Sequence, residues 1–285
     1  MSLTLIGTAT ASSIFSRMRR VRGATVAATV ALVLLAIAAV AADWVTPHDP
    51  DFVDLANVFA GPNLSHPLGF DANGRDLLSR LIVGARTAII GPMMLVALST
   101  LAGVALALVG AWYGGLMDTL ISRLLDILLA FPGLLIAIVA ASVFGPSLTT
   151  AALALSISYI PFIGRVVRSE ALRHRKLAYV HEAWLQGMSA PRICFTQILP
   201  NLAPIIIAQV VISLSYAVID LTAMSYLGLG VQPPTADWGA MIAIGQESVL
   251  QGHPGESIAA SLCIVALVLA LGVLGNAQSE RARDR

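Results

Sequence analysis

The stretch Ile127–Gly164, ILLAFPGLLIAIVAASVFGPSLTTAALALSISYIPFIG, runs 38 residues without Asp, Glu, Lys or Arg. One bilayer-spanning helix needs only about 20 apolar residues. Gly145-Pro146-Ser147 stands at the centre of the run, a combination that ends one helix and caps the next. It therefore reads as two spans, 127–145 and 148–167. On either side lie four more charge-free runs, Ala24–Ala42, Thr87–Met117, Ile193–Ile219 and Ser257–Ser279. They predict further spans near 24–42, 88–112, 203–227 and 257–276, six in all.

Composition agrees with a lipid environment. Of 285 residues, 57% are hydrophobic and 12% charged, about half the charged share of a soluble domain, roughly 25%. Seventeen basic and sixteen acidic residues leave a net charge of +1, so no global field suggests nucleic acid as a partner. Arg17, Arg19, Arg20 and Arg22 before the first apolar run look like the start of a signal peptide, but that run has 19 residues. A signal core is usually about 7–15 residues long, so a retained helix is expected. The two cysteines, Cys194 and Cys263, fall on different elements, so a structural disulfide is not expected and the redox compartment is not readable from them.

Six spans put both termini on one side, and the basic residues say which. With cytoplasmic termini, 14 of the 17 basic residues are cytoplasmic. These are Arg17, Arg19, Arg20, Arg22, Arg123, Arg165, Arg168, Arg173, Arg175, Lys176, Arg192, Arg281, Arg283 and Arg285. Arg75, Arg80 and Arg86 remain outside, as the positive-inside rule favours. The chain then divides into a tail at 1–23, a six-span unit at 24–276 and a tail at 277–285. Outer loops at about 43–87 and 228–256, rich in Pro and Gly, are too long to be simple turns and are expected to pack over or dip toward the outer mouth. There is no internal repeat, low-complexity segment or second soluble domain.

Several chemistries are excluded. The only lysine, Lys176, lies between Arg175 and Leu177, so there is no Walker A Gly-Lys-Ser/Thr to hold ATP. His181-Glu182 would begin a zinc-protease helix only with a second histidine at position 185, which is Leu. Gly228-Leu229-Gly230 lacks a preceding strand and a third glycine, and reads as a helix end. Of the five histidines, His48, His66, His174, His181 and His253, the pair His48-Asp49 near Asp51 reads as a solvated turn, because no spacing there imposes a coordination geometry. No metal is expected.

The longest inner connection, 165–202, carries Leu177, Val180, Trp184 and Met188 on one helical stripe. Gly187 is expected to close that helix, and Ser189 to cap a second one with Pro191 in its first turn. Pro200 and Pro204 then bend the chain into the fifth span. On pattern alone the helix could anchor on lipid, brace the bundle or dock a soluble partner. Asp220 stands inside the fifth span, where a carboxylate is costly enough to be a functional candidate. It would either face a cavity or pair with Ser/Thr hydroxyls or backbone at a packed interface.

Tyr179-Val180-His181-Glu182-Ala183-Trp184-Leu185-Gln186-Gly187, continuing to Ile198-Leu199-Pro200-Asn201, resembles the Glu-Ala-Ala…Gly…Ile-Leu-Pro loop of ABC importer permeases. His66-Pro67-Leu68-Gly69-Phe70-Asp71-Ala72-Asn73-Gly74-Arg75-Asp76, with Leu78-Ser79-Arg80 and Gly84-Ala85-Arg86, is similar to the hallmark of the C-type subunit of dipeptide and oligopeptide transporters. Asp126 to Pro132, Ser225 to Pro234 and Asp237-Trp238-Gly239 are family-like as well. The resemblance covers roughly residues 24–276, in order and in register. Two departures stand out: the acidic residue of the loop is displaced by one, to Glu182, and Trp184 stands where a small or basic residue is common.

The resemblance implies an all-α integral membrane protein of the type I ABC importer permease fold, with six transmembrane helices and a cytoplasmic coupling helix. It implies half of a translocation path for peptides in the cell membrane, paired with a second homologous permease. Two ATPase domains would hold ATP and Mg²⁺ below, with a peptide-binding protein above, and this chain would bind no cofactor of its own. It assigns ATPase coupling to Tyr179, Val180, His181, Glu182, Ala183, Trp184, Gly187 and Met188, with Asp220 the candidate for the translocation path, where it would meet a peptide amino group if it faces the cavity. Nickel, opine-like or other small solutes share these hallmarks. An ion-coupled secondary transporter would show a relay of intramembrane ionisable groups, an intramembrane enzyme a paired nucleophile and base, and a purely structural subunit would not require the inner loop.

Overall fold

The computed structural model describes residues 23–283. Arg17, Arg19, Arg20, Arg22 and Arg285 of the basic count lie outside the described residues, as do the side chains of Arg281 and Arg283. The elements are helices α1 (Gly23–Val40) and α2 (Ala42–Val45), then α3 (Leu77–Tyr113), α4 (Gly115–Ala130), α5 (Gly133–Phe144) and α6 (Leu148–Arg175). These are followed by α7 (Ala178–Leu185), α8 (Ala190–Ile193), α9 (Leu199–Tyr226), α10 (Trp238–Leu250) and α11 (Gly255–Arg283). Among the described residues the only β feature is a single bridge between Phe70 and Asp76. Five helical runs are long and apolar enough to cross a bilayer, and the bent pair α4–α5 makes six when it is taken as one span.

That bent pair differs from the sequence reading. Ser147 does cap α6, its Oγ accepting from Thr150 N at 3.0 Å, and Gly145 ends α5 with φ 87°. The span expected at 127–145, however, is broken by a 77° bend at Phe131-Pro132. A residue before proline is driven from the α region, and Phe131 is extended, at φ −92° and ψ 126°. The carbonyl of Pro132 then accepts from Leu135 and Ile136 to start α5.

Two other spans start well before the positions read from sequence. Helix α3 begins at Leu77 rather than 88, because Asp76 accepts from Ser79 N at 2.8 Å and caps it. Hydropathy hid this first part because it carries Arg80 and Arg86. Arg86 pairs with Asp43 at 3.0 Å, while Arg80 lies 3.2 Å from Asp51 and 3.7 Å from Asp71. The fifth span likewise runs unbroken from Ala190 to Tyr226. A π-helical turn at Cys194–Ile198, closed by Leu199 N to Cys194 O, carries the helix to Pro200. That wide turn absorbs the donor that proline lacks.

Apolar burial drives little association in lipid, so small residues that let backbones approach carry much of the packing. The most extensive interface is α3 against α6. There a Cβ on Gly103 would lie 3.0 Å from Gly164 N and 3.1 Å from Ile160 O. One cluster at mid-bundle joins Leu95 and Val96 of α3, Ala137 and Ala141 of α5, Leu155 and Tyr159 of α6, and Leu221 and Met224 of α9. A second, at the C-terminal end of α3, gathers Ala107 and Ala111 with Ile163, Val167, Val180, Ala183 and Ile198. A third, at its N-terminal end, sets Leu77, Leu81 and Ala85 against Trp238 and Met241 of α10 and Ala260 and Leu267 of α11. Helices α7 and α10 thus sit at opposite ends of α3, whose 37 residues span about 55 Å at 1.5 Å per residue.

Candidate functional site

Two regions hold the residues singled out from sequence, and the fold keeps them apart. Helix α7 closes as read. Gly187 N donates to Trp184 O at 2.9 Å and Met188 N to Ala183 O at 3.1 Å, the paired bonds of a Schellman motif. The motif needs a left-handed residue at Gly187, whose φ is 77°. Ser189 takes the N-cap position of α8 with Pro191 in the first turn, but its side chain makes no capping bond.

The stripe of α7 is rotated from the reading. Val180 and Ala183 are buried, with Tyr179 and Met188 packed beside them. Leu177 is 40% and Trp184 63% exposed. The small Ala183 lets the helix seat closely, and Trp184, one residue and about 100° further round, is turned away. His181, Glu182, Trp184 and Leu185 therefore form the exposed face. Among the described residues Glu182 has no ion-pair partner.

The seat of α7 is fastened by polar contacts. Arg175 Nη1 donates to Ala111 O at 2.9 Å and its guanidinium lies 6.0 Å from the Trp112 ring centre. His174 Nδ1 lies 2.7 Å from the Tyr179 hydroxyl, and burial pushes that hydroxyl's pKa up. Arg168 binds Asp118 through Nε at 2.5 Å and Nη2 at 2.7 Å, joining α4 to α6. Arg165 pairs with Asp126 in the same sense.

The second region is a cavity of about 600 Å³ between the α4–α5 bend, α6 and α9. Phe131, Pro132 and Leu134 form one wall, Ser158, Tyr159 and Phe162 a second, and Gln209, Ser213, Tyr216 and Asp220 a third. Asp220 lies on a cavity wall, and its partner is a tyrosine hydroxyl, not the Ser/Thr hydroxyl or backbone group at a packed interface weighed from sequence. Its Oδ2 accepts from the Tyr159 hydroxyl at 2.7 Å. The Ser158 hydroxyl is buried without a hydrogen-bond partner. An aromatic wall facing one carboxylate, hydroxyls and an amide can bind a polar molecule that carries a positive group. Tyr159, Tyr216 and Gln209 were not singled out from sequence. The spacing 209, 213, 216, 220 is a polar stripe on one helical face, and it was the signal available.

At the α10 end, Asp237 caps α10 by accepting from Gly239 and Ala240 N, and accepts from the Thr87 hydroxyl at 2.9 Å. Trp238 Nε1 donates to Leu81 O at 2.9 Å. Arg75 Nε binds Asp71 Oδ2 at 2.8 Å, and both residues are buried. Burial raises the pKa of the Asp76 carboxyl, but bonds from the Ser79 hydroxyl, His66 and Ser79 N outweigh it and hold the group below its ordinary range.

Comparison with known proteins adds a family and relatives. Residues 76–284 match the family described as binding-protein-dependent transport system inner membrane component. The chain is 36% identical over 239 residues to the probable D,D-dipeptide transport system permease protein of Escherichia coli (strain K12), covering 82% of this chain and 80% of that protein. It is 35% identical to a dipeptide transport system permease protein of Haemophilus influenzae, over 84% of this chain and 82% of that one. It is 33% identical to a glutathione transport system permease protein of Pectobacterium atrosepticum, over 88% and 83%.

Proposed function

This chain belongs to the family of binding-protein-dependent transport system inner membrane components, and from that premise we propose that it forms half of the path by which an ATP-driven importer moves short peptides across the cell membrane. It is a membrane component of ABC transporters, not a catalytic subunit. The similar proteins named for dipeptide, D,D-dipeptide and glutathione transport support a short peptide as the solute.

The observation that carries the reading is the Asp220 cavity. A carboxylate held by a tyrosine hydroxyl suits the ammonium end of a peptide, and the aromatic wall suits its side chains. Asp220 is the only carboxylate among the residues lining that cavity, and a single carboxylate there does not support the relay an ion-coupled secondary mechanism would use. Nothing in the cavity favours nickel or another small solute.

In this reading a second homologous permease completes the path, an extracytoplasmic peptide-binding protein delivers the solute, and two ATPase subunits hold ATP and Mg²⁺. The α7 end and both termini face the cytoplasm, in keeping with the positive-inside count. His181, Glu182 and Trp184 would meet the ATPase, while Tyr179, Val180, Ala183, Gly187 and Met188 fix the helix to α3, α6 and α9. Closure of the ATPases would push α7 as a lever on these helices and bias a two-state path.

The test is purification of the tagged chain from its native membrane in mild detergent, with mass spectrometry of bound proteins and an ATPase assay. Recovery of a second permease and a vanadate-sensitive ATPase, with peptide-dependent uptake after reconstitution, is the expected result. A lone chain or homo-oligomer without ATPase activity overturns the reading.

A further inference from the structure

We propose that His48, His66 and Asp76 form a binding site for a divalent transition metal ion, with Zn²⁺ the best fit, at the α10 end of the bundle. The sequence reading left His48 in a solvated turn. The fold instead stacks its ring on that of His66, with centroids 4.1 Å apart and planes 25° apart. Asp76 completes the group, and one ligand atom from each residue lies within 4.8 Å of the other two.

The donor chemistry is selective. Two imidazole nitrogens and one carboxylate oxygen suit Zn²⁺ and its neighbours rather than Mg²⁺ or Ca²⁺, which take oxygen ligands. Bonds of about 2.0–2.2 Å in a tetrahedral site put ligand atoms about 3.3 Å apart. His66 Nδ1 lies 2.9 Å from Asp76 Oδ1, a hydrogen bond that ligation would replace, and His48 Nδ1 lies 3.9 Å from the other carboxylate oxygen, Oδ2, so modest turns of the side chains would bring one atom of each to that spacing. The set resembles three-ligand sites that keep a fourth position open.

Two further observations point to a ligand. His48 Nδ1 is a buried atom with no hydrogen-bond partner, although such atoms are normally satisfied. A cavity of about 400 Å³ adjoins the three residues, with Asp49, Asp54 and Asn63 also on its wall. It gives an ion and its water a route to the fourth position.

The ligands are also held by bonds that a metal would not disturb. His48 N donates to Ser79 Oγ at 3.2 Å and His66 N to Asn63 Oδ1 at 2.8 Å, while Ser79 N holds Asp76 Oδ2. An ion here would tie the segment after α1 and the loop before α3 to the start of α3. The site shares no residue with the Asp220 cavity, so the ion fastens this end of the protein and is not its cargo.

The experiment uses the whole transporter, purified through a tag without histidine, stripped with a chelator and titrated with Zn²⁺ against a chromophoric competitor. One tight equivalent per chain is expected, and X-ray absorption at the zinc edge should report two imidazoles. His48→Gln and His66→Gln should each weaken that equivalent by about 100-fold or more, since loss of a group one shell further out already costs 10–100-fold. His48→Gln leaves the Asp76 cap of α3 in place, so the chain should still fold and the whole transporter should still hydrolyse ATP. Failure to take up one equivalent, or uptake that both variants leave unchanged, overturns the proposal.

Discussion

The Tyr159 hydroxyl donates to Asp220 Oδ2 at 2.7 Å and so ties α6 to α9 across the wall of the cavity. Each group answers the other's burial. The carboxylate gains a donor at membrane depth, and the phenol gains an acceptor.

Asp220→Asn should keep the hydrogen bond to Tyr159 and lose the charge. If the carboxylate meets the peptide ammonium, a charge-assisted bond of about 1.5–3 kcal/mol is lost, and KM for uptake rises by about tenfold or more. Basal ATPase activity should stay unchanged. The readout is uptake by reconstituted vesicles of peptides with free and acetylated N-termini, and equal loss for both kinds contradicts the ammonium contact.

Tyr159→Phe leaves Asp220 without its donor. It should destabilise the protein by about 1–3 kcal/mol and lower its thermal midpoint in detergent. Tyr216→Phe, at a position 61% exposed, should leave that midpoint within the spread of the wild type.

Gly187→Val forces a β-branched residue to φ 77°, at a cost of about 1–2 kcal/mol, and disturbs the turn that seats α7. Trp184→Ala removes an exposed side chain, with about 0.5 kcal/mol or less of effect on stability. Both should lower the ratio of peptide imported to ATP hydrolysed, and only Gly187→Val should lower the melting temperature as well.

Trp238 is 2% exposed and reaches across to Leu81 O. Leu81 O keeps its acceptor role inside α3, so Trp238→Phe should cost about 0.5–1.5 kcal/mol for the lost hydrogen bond, and Trp238→Ala about 3–5 kcal/mol. A Cβ on Gly84 would sit 2.8 Å from Trp238 Cδ1, so Gly84→Leu should be as damaging as Trp238→Ala. Denaturation in detergent followed by tryptophan fluorescence orders the three variants.

Asp118 and Arg168 make two short charged bonds at sites about one-fifth exposed. A double-mutant cycle through Asp118→Asn and Arg168→Gln should return a coupling energy of about 1–3 kcal/mol. A coupling near zero in thermal unfolding would mean that the pair does not hold α4 to α6.

Much of the architecture was legible in the chain. Charge-free runs gave the spans, and Gly145-Pro146-Ser147 split the longest run where α5 gives way to α6. Gly187 marked the end of α7 because a left-handed turn there suits a glycine. The start of α3 was misplaced because Arg80 and Arg86 interrupt the hydropathy, and their partners Asp51, Asp71 and Asp43 come from the segment before the helix. Pro132 was read as part of a motif, without the bend it causes.

Function followed the same division. Asp220 stood out because a carboxylate in a span is costly, yet nothing in its neighbourhood named Tyr159, 61 residues away. Val180 and Ala183, rather than Trp184, seat α7, and that depended on what α3 and α6 present to it. A helix that is apolar on every side has no stripe to say which face meets protein and which meets lipid. The order of hydrophobic and charged residues therefore settled how many times the chain crosses and where most helices end. The packed helices settled which polar groups meet, because a hydrogen bond, an ion pair or a metal site needs atoms within a few ångströms, and only the folded bundle sets those distances.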